Sequence, residues 1–129
     1  MNTTENNKKT EAPRYVFRGE IYMVDFGDLG EGGSVHQGSR PAVIISNDVG
    51  NRYSSIVNCC LLTSKVMKKA YPTHLKLTPN PMNKLKMDSV VMTEQLRTVG
   101  REMLKFKIGK LTDEEIQQLD QVVRITLGL

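Results

Sequence analysis

The sequence predicts a mainly β fold, a small barrel or strongly bent sheet, closed by a C-terminal helix. Two observations carry this. Short apolar or alternating runs recur every ten to fifteen residues with turn signals between them. After about residue 103 the apolar spacing changes to a helical one, and a capping signature appears at Thr112.

The elements follow in order. Residues 1–14 are polar, rich in Asn, Thr and Lys, and read as a disordered tail; residues 15–129 form one domain. Glu20 to Phe26 (EIYMVDF) has the β-branched and aromatic character of a first strand. Gly27 to Ser39 carries five glycines and reads as a long loop free to fold over something. Pro41 to Ser46 is a buried strand, and Asn47 to Tyr53 a turn segment. Ile56 to Leu62 is a second buried run, ended by Thr63 and Ser64. Thr73 to Leu77 alternates as a half-exposed strand does, and residues 78–88 connect it to Ser89–Thr93, which Glu94 to Val99 follow. Leu104, Ile108 and Leu111 fit a short helical stretch. Thr112 and Glu115 form a capping box, with Leu111 and Ile116 as its staple. Ile116, Leu119, Val122, Val123 and Thr126 mark the helix's apolar face, and Gly128 is its stop.

The bulk properties limit the function. A chain of 129 residues suits one compact domain. Net charge is +4, unevenly spread: residues 40–110 hold thirteen basic and four acidic side chains, between flanks with an acidic excess. Such a basic middle fits a polyanionic partner, nucleic acid above all, and fits a lysine-rich solvated surface equally well. Cys59 and Cys60 are adjacent, so strand geometry sends them to opposite faces and no disulfide is expected between them. No CxxC, zinc or other metal spacing is present, nor a Walker loop, GxGxxG, GxSxG or HExxH motif. No cofactor is expected. The absence of a long apolar run predicts no membrane span and a cytoplasmic location.

Arg40 stands between the Gly-rich loop and a stiff strand, where a guanidinium can grip phosphate and offset developing negative charge. Taken alone, an arginine there is more often simply solvated. Thr63 and Ser64, at a strand end, can bind a phosphate oxygen or cap a turn. His36 lies in the loop and could act as acid or base near neutral pH; His74, in the alternating strand, reads as structural. Gln95 and Arg97, beside Glu94, can address base edges, and Lys65, Lys68 and Lys69 can track a phosphate backbone.

The order of these residues resembles that of the MazF/PemK toxins. Arg18-Gly19-Glu20-Ile21-Tyr22, Gly38-Ser39-Arg40-Pro41-Ala42-Val43-Ile44-Ile45 and Asn47-Asp48-Val49-Gly50-Asn51-Arg52-Tyr53-Ser54 are similar to three of that family's motifs, the last to its Gram-positive branch. Thr63 with Pro72-Thr73-His74, Asp88-Ser89-Val90-Val91 and Glu94-Gln95-Leu96-Arg97-Thr98 complete the set. The resemblance implies an SH3-like or CcdB-like barrel and a homodimer. It implies metal-independent cleavage of single-stranded RNA (mRNA) at a short sequence, leaving a 2′,3′-cyclic phosphate and a 5′-hydroxyl. It also implies neutralisation by a cognate MazE-like antitoxin, with which such toxins bind DNA. The family's essential arginine falls on Arg40 and its essential threonine on Thr63. Ser34, His36, Ser64, Lys68, Gln95 and Arg97 are the RNA-binding positions it suggests. The chain departs from the family in the loop, where Val35 and His36 stand in place of the usual Glu-Gln. A gyrase-directed CcdB-like toxin and a non-catalytic RNA-binding barrel are the competing readings.

Overall fold

Strand β1 (Glu20–Asp25) lies between β2 (Ser39–Ile44) and β6 (Leu104–Lys110), and β2 leads through a short helix α1 (Asp48–Tyr53) into β3 (Ile56–Thr63). β4 (His74–Leu77) and the long β5 (Ser89–Gly100) follow, then a 3-10 turn (Arg101–Met103), β6 and helix α2 (Asp113–Leu127). This computed structural model describes residues 12–27, 38–65 and 69–129. All pairings are antiparallel, in one sheet of order β4-β5-β3-β2-β1-β6. The mainly β architecture with a C-terminal helix is as the sequence predicts. The sheet bends without a ladder joining β4 to β6. Instead the β4–β5 connection lies on β6: the Lys110 amide donates to the Met82 carbonyl at 3.0 Å. Gly109 makes this approach possible, because a Cβ there would sit 2.3 Å from the Asn83 carbonyl oxygen.

β3 explains the continuous apolar run in its sequence. Val57, Cys59 and Leu61 enter one core with Tyr22, Val24, Ala42 and Ile44. Cys60 and Leu62 enter a second core with Ile21, Val43 and Val91, beneath α2. A strand buried on both faces has no polar side to show. The two cysteines are therefore free and in different cores, as their adjacency predicts. Burial pushes the Cys59 thiol up to about 11 and that of Cys60 to about 12, so neither forms a thiolate near neutral pH.

α2 begins and ends where its sequence says. Thr112 accepts from the Glu115 amide at 3.1 Å, and Glu115 accepts from the Thr112 amide at 2.8 Å. Leu111 and Ile116 both pack in the second core, Leu119 is fully buried, and Gly128 closes the helix at φ 72°. Replacing Thr112 by alanine is expected to cost about 1 kcal/mol, read as a lower urea midpoint with unchanged slope.

Three sequence expectations are corrected. Residues 48–53 are helical rather than a turn, because Asn47 acts as an N-cap, accepting from the Gly50 amide at 2.7 Å. Asn and Gly signal a turn and a cap equally well. Residues 104–110 form a strand, not a helical stretch. Spacings of four fit both periods, and β1, which needs a second partner, decides between them. Residues 89–100 form one strand rather than two segments. Its register with β3 jumps from Cys60↔Leu96 to Leu61↔Met92, which leaves Thr93 to Gln95 as a bulge that bends the sheet.

The Arg18-Gly19-Glu20 opening is architectural. Arg18 donates to the Asp48 carboxylate (2.7 Å), the Ile45 carbonyl (2.9 Å) and the Asp120 carboxylate (2.8 Å), tying the start of β1 to α1 and α2. Gly19 has φ +91°, and a Cβ there would meet Ile116 at 2.8 Å. Of the segment read as a tail, residues 1–11 lie outside the described residues. The carbonyls of Pro13 and Arg14 accept from Arg101 at 2.9 and 2.8 Å.

Candidate active site

The β2–β3 ladder pairs Ala42 with Leu61, Val43 with Cys60 and Ile44 with Cys59. Arg40 and Thr63 each lie two residues beyond the Ala42–Leu61 pair at which this ladder ends. Arg40 pairs with Val24 of β1, which is fully buried, so the backbone beneath the arginine is held by that ladder. Arg40 itself is exposed and, among the described residues, is in no ion pair.

Arg40, Thr63 and Ser64 border one cleft of about 680 Å3. Met23, Pro41, Leu62 and Ile108 give it an apolar floor, and Phe106, Lys84, Lys86 and Lys107 stand around it. Among the described residues no acidic side chain lines it. Thr63 also caps its own turn, accepting from the Lys65 amide at 3.1 Å, so the structural and the functional uses of this hydroxyl coexist. Ser64, at the strand end, is exposed.

Sequence reasoning missed Lys84, Lys86, Phe106 and Lys107. Residues 78–88 read only as a connection and β6 as a helix, so nothing aimed their side chains at Arg40. One local signal was present: two asparagines at Asn80 and Asn83. The fully buried Asn83 donates to the Thr78 carbonyl (2.9 Å) and Glu115 (3.1 Å) and accepts from the amides of Asn80 and Leu85 (both 3.0 Å). Asn80 donates to the same Glu115 oxygen at 3.0 Å. This network holds Lys84 in a left-handed conformation, φ 54°, which a β-carbon disfavours. Lys107 is held to Glu20 at 2.9 Å.

The other predicted positions lie apart. Gln95 falls in the β5 bulge and does not line the cleft. Arg97 lies opposite Cys59, on the face Arg40 shares, with its guanidinium 5.7 Å from the Phe26 ring centroid. Ser34, His36 and Lys68 lie outside the described residues. Lys69 stacks over Tyr71 at 5.8 Å, and Lys65 is exposed beside Ser64. His74 has the structural partners expected of it: Glu94 at 3.0 Å and the Tyr71 ring at 4.9 Å. Desolvation works against ionising Glu94. Hydrogen bonds from His74, its own backbone and Thr73 (2.9 Å) outweigh it and hold the carboxyl below its usual range. Among the described residues no three His, Cys, Asp or Glu side chains could hold a metal ion, and no helix is long and apolar enough to cross a membrane.

A bent antiparallel sheet with a C-terminal helix, and an arginine and a threonine bordering one basic cleft, define a small, mainly β protein with a site suited to an anionic ligand. A family model described as the PemK-like, MazF-like toxin of type II toxin–antitoxin systems matches residues 17–127. The endoribonuclease MazF of Staphylococcus saprophyticus is 38% identical over 112 residues, covering 87% of this chain and 91% of that protein. The chain belongs to the PemK-like, MazF-like toxin family. Solved structures agree in fold. A mycobacterial endoribonuclease in complex with its cognate antitoxin superposes with TM-score 0.71 at 24% identity, over 88% of this chain and 96% of that one. MazF from Deinococcus radiodurans does so with TM-score 0.67 at 21% identity, over 92% and 99%.

Proposed function

We propose that this toxin is a cytoplasmic endoribonuclease that cleaves single-stranded RNA at a short sequence, without a metal, through Arg40 and Thr63. It acts as a homodimer and is neutralised by a MazE-like antitoxin. Its 38% identity to an endoribonuclease favours RNA cleavage over the gyrase-directed and non-catalytic readings.

The observation that carries the mechanism is one cleft that Arg40 and Thr63 both border, together with three lysines and, among the described residues, no acidic side chain. In the reaction the 2′-hydroxyl of one nucleotide attacks the adjacent phosphorus and loses its proton. The bond to the 5′-oxygen of the next nucleotide breaks, and that oxygen takes up a proton. The products are a 2′,3′-cyclic phosphate and a 5′-hydroxyl. Negative charge grows on the non-bridging oxygens in between. The Arg40 guanidinium binds these oxygens, and a fixed cation at the point where charge develops lowers the barrier. The Thr63 hydroxyl donates to the same phosphate or orients the attacking 2′-hydroxyl.

The purified protein is expected to cut a mixed-sequence RNA in EDTA, and sequencing the new ends should return one short word with cyclic-phosphate and 5′-hydroxyl termini. Intact RNA across the whole mixture would refute the proposal.

A further inference from the structure

The cleft holds a feature that phosphate chemistry at Arg40 and Thr63 does not use. Phe106 is 56% exposed in β6, opposite Met23 of β1, and borders the same cleft. A large aromatic kept in solvent at a site forgoes burial worth about 2 kcal/mol. Beside it stand Lys84 and Lys86, exposed and, among the described residues, in no ion pair. Lys84 is fixed there in its left-handed conformation by Asn83 and Glu115.

We infer that Phe106 is a stacking platform for the base of an RNA nucleotide flanking the scissile phosphate, whose own phosphate is held by Lys84 and Lys86. The inference rests on the ribonuclease reading and adds a substrate subsite to it. Four properties support it. An aromatic face beside fixed cations is how single-stranded nucleic acid is gripped, because every base has a π-face and every linkage a charge. The cleft is continuous with Arg40 and Thr63, so a strand whose phosphate lies at that pair has a neighbouring nucleotide within it. A cleft of about 680 Å3 has the size that accepts a nucleotide-sized ligand. Among the described residues no acidic side chain lines it, which fits a polyanion. Lys107 adds less, since Glu20 neutralises it.

The test compares the native protein with Phe106→Ala and Phe106→Tyr on oligonucleotides carrying the cleavage word, intact or with one abasic site at each flanking position in turn. Phe106→Ala is expected to raise KM roughly ten- to a hundredfold with little change in kcat, and Phe106→Tyr to restore it. At one position the abasic site should cost the native protein the same factor and the alanine variant nothing more. Unchanged KM in Phe106→Ala, or abasic costs equal in both proteins at every position, would overturn the subsite. So would a variant that cuts RNA normally but escapes an acidic antitoxin peptide, since the cleft would then serve the antitoxin. If the native protein cuts no RNA, the ribonuclease reading has failed by itself. Binding of 2′-deoxy single strands to the native and Phe106→Ala proteins then decides the subsite: equal affinity rejects it, and tenfold weaker binding by the variant supports it.

Discussion

Arg40→Ala is expected to lower kcat for RNA cleavage by about a hundred- to a thousandfold while leaving thermal stability unchanged. The size follows from removing one preorganised group that meets charge only in the transition state, which typically costs about 3–4 kcal/mol. The unchanged stability follows from position. Arg40 is exposed and makes no ion pair among the described residues, and its backbone is held by the ladder with β1 rather than by its side chain. Arg40→Lys should recover only part of the rate, since an ammonium supplies charge without the paired geometry that fits two phosphate oxygens. Single-turnover cleavage assays beside melting curves check this. A variant that melts like the native protein and cuts at the native rate would remove Arg40 from the mechanism.

The largest effect on stability is expected at Asn83. Its alanine variant leaves the Thr78 carbonyl and the amides of Asn80 and Leu85 without their partner in a fully buried place. Stranding such groups costs about 3 kcal/mol in sum, or about 10 °C in Tm for a domain of this size. The same change frees the segment that carries Lys84 and Lys86, so KM should rise as well, with kcat affected less. Asn83→Asp separates geometry from charge. It keeps the acceptor but sets a carboxyl beside Glu115, whose oxygen lies 3.1 Å from the present amide nitrogen. Like-charge repulsion and burial raise the pKa of the new carboxyl above its unfolded value. Its neutral form is therefore favoured by folding, and the variant should lose stability as pH rises through that pKa. It should lie closest to the native protein near pH 4 and furthest at pH 7. A melting series across that range reads the sign directly, and equal losses at both pH values would contradict it.

How much of this was legible beforehand differs between elements. Helix α2 was readable down to its caps because every signal in it is local: Thr112, Glu115 and Gly128 act within one turn of chain. The assignment of Cys59 and Cys60 to opposite faces was equally secure, since strand geometry alone imposes it. By contrast, LKFKIGK carries alternation and a spacing of four at once, and only the unpaired edge of β1 made it a strand. The bulge at Thr93 to Gln95 had no local mark; it exists because β3 and β5 must keep different lengths in register.

The candidate site divides along the same line. Arg40 and Thr63 were found in the sequence because each borders an apolar strand, a local property, and because their order resembles a known family. Lys84, Lys86, Phe106 and Lys107 stayed invisible, since each reaches the cleft through contacts made far along the chain. From local pattern alone came most of the strands, the capped helix, the basic middle and the two residues proposed for the chemistry. Long-range packing brought Arg40 and Thr63 to one cleft and set which cations and which aromatic ring surround them. Register and burial are properties of pairs of segments. A single segment carries its own periodicity and caps, but not the identity of the surface it will meet.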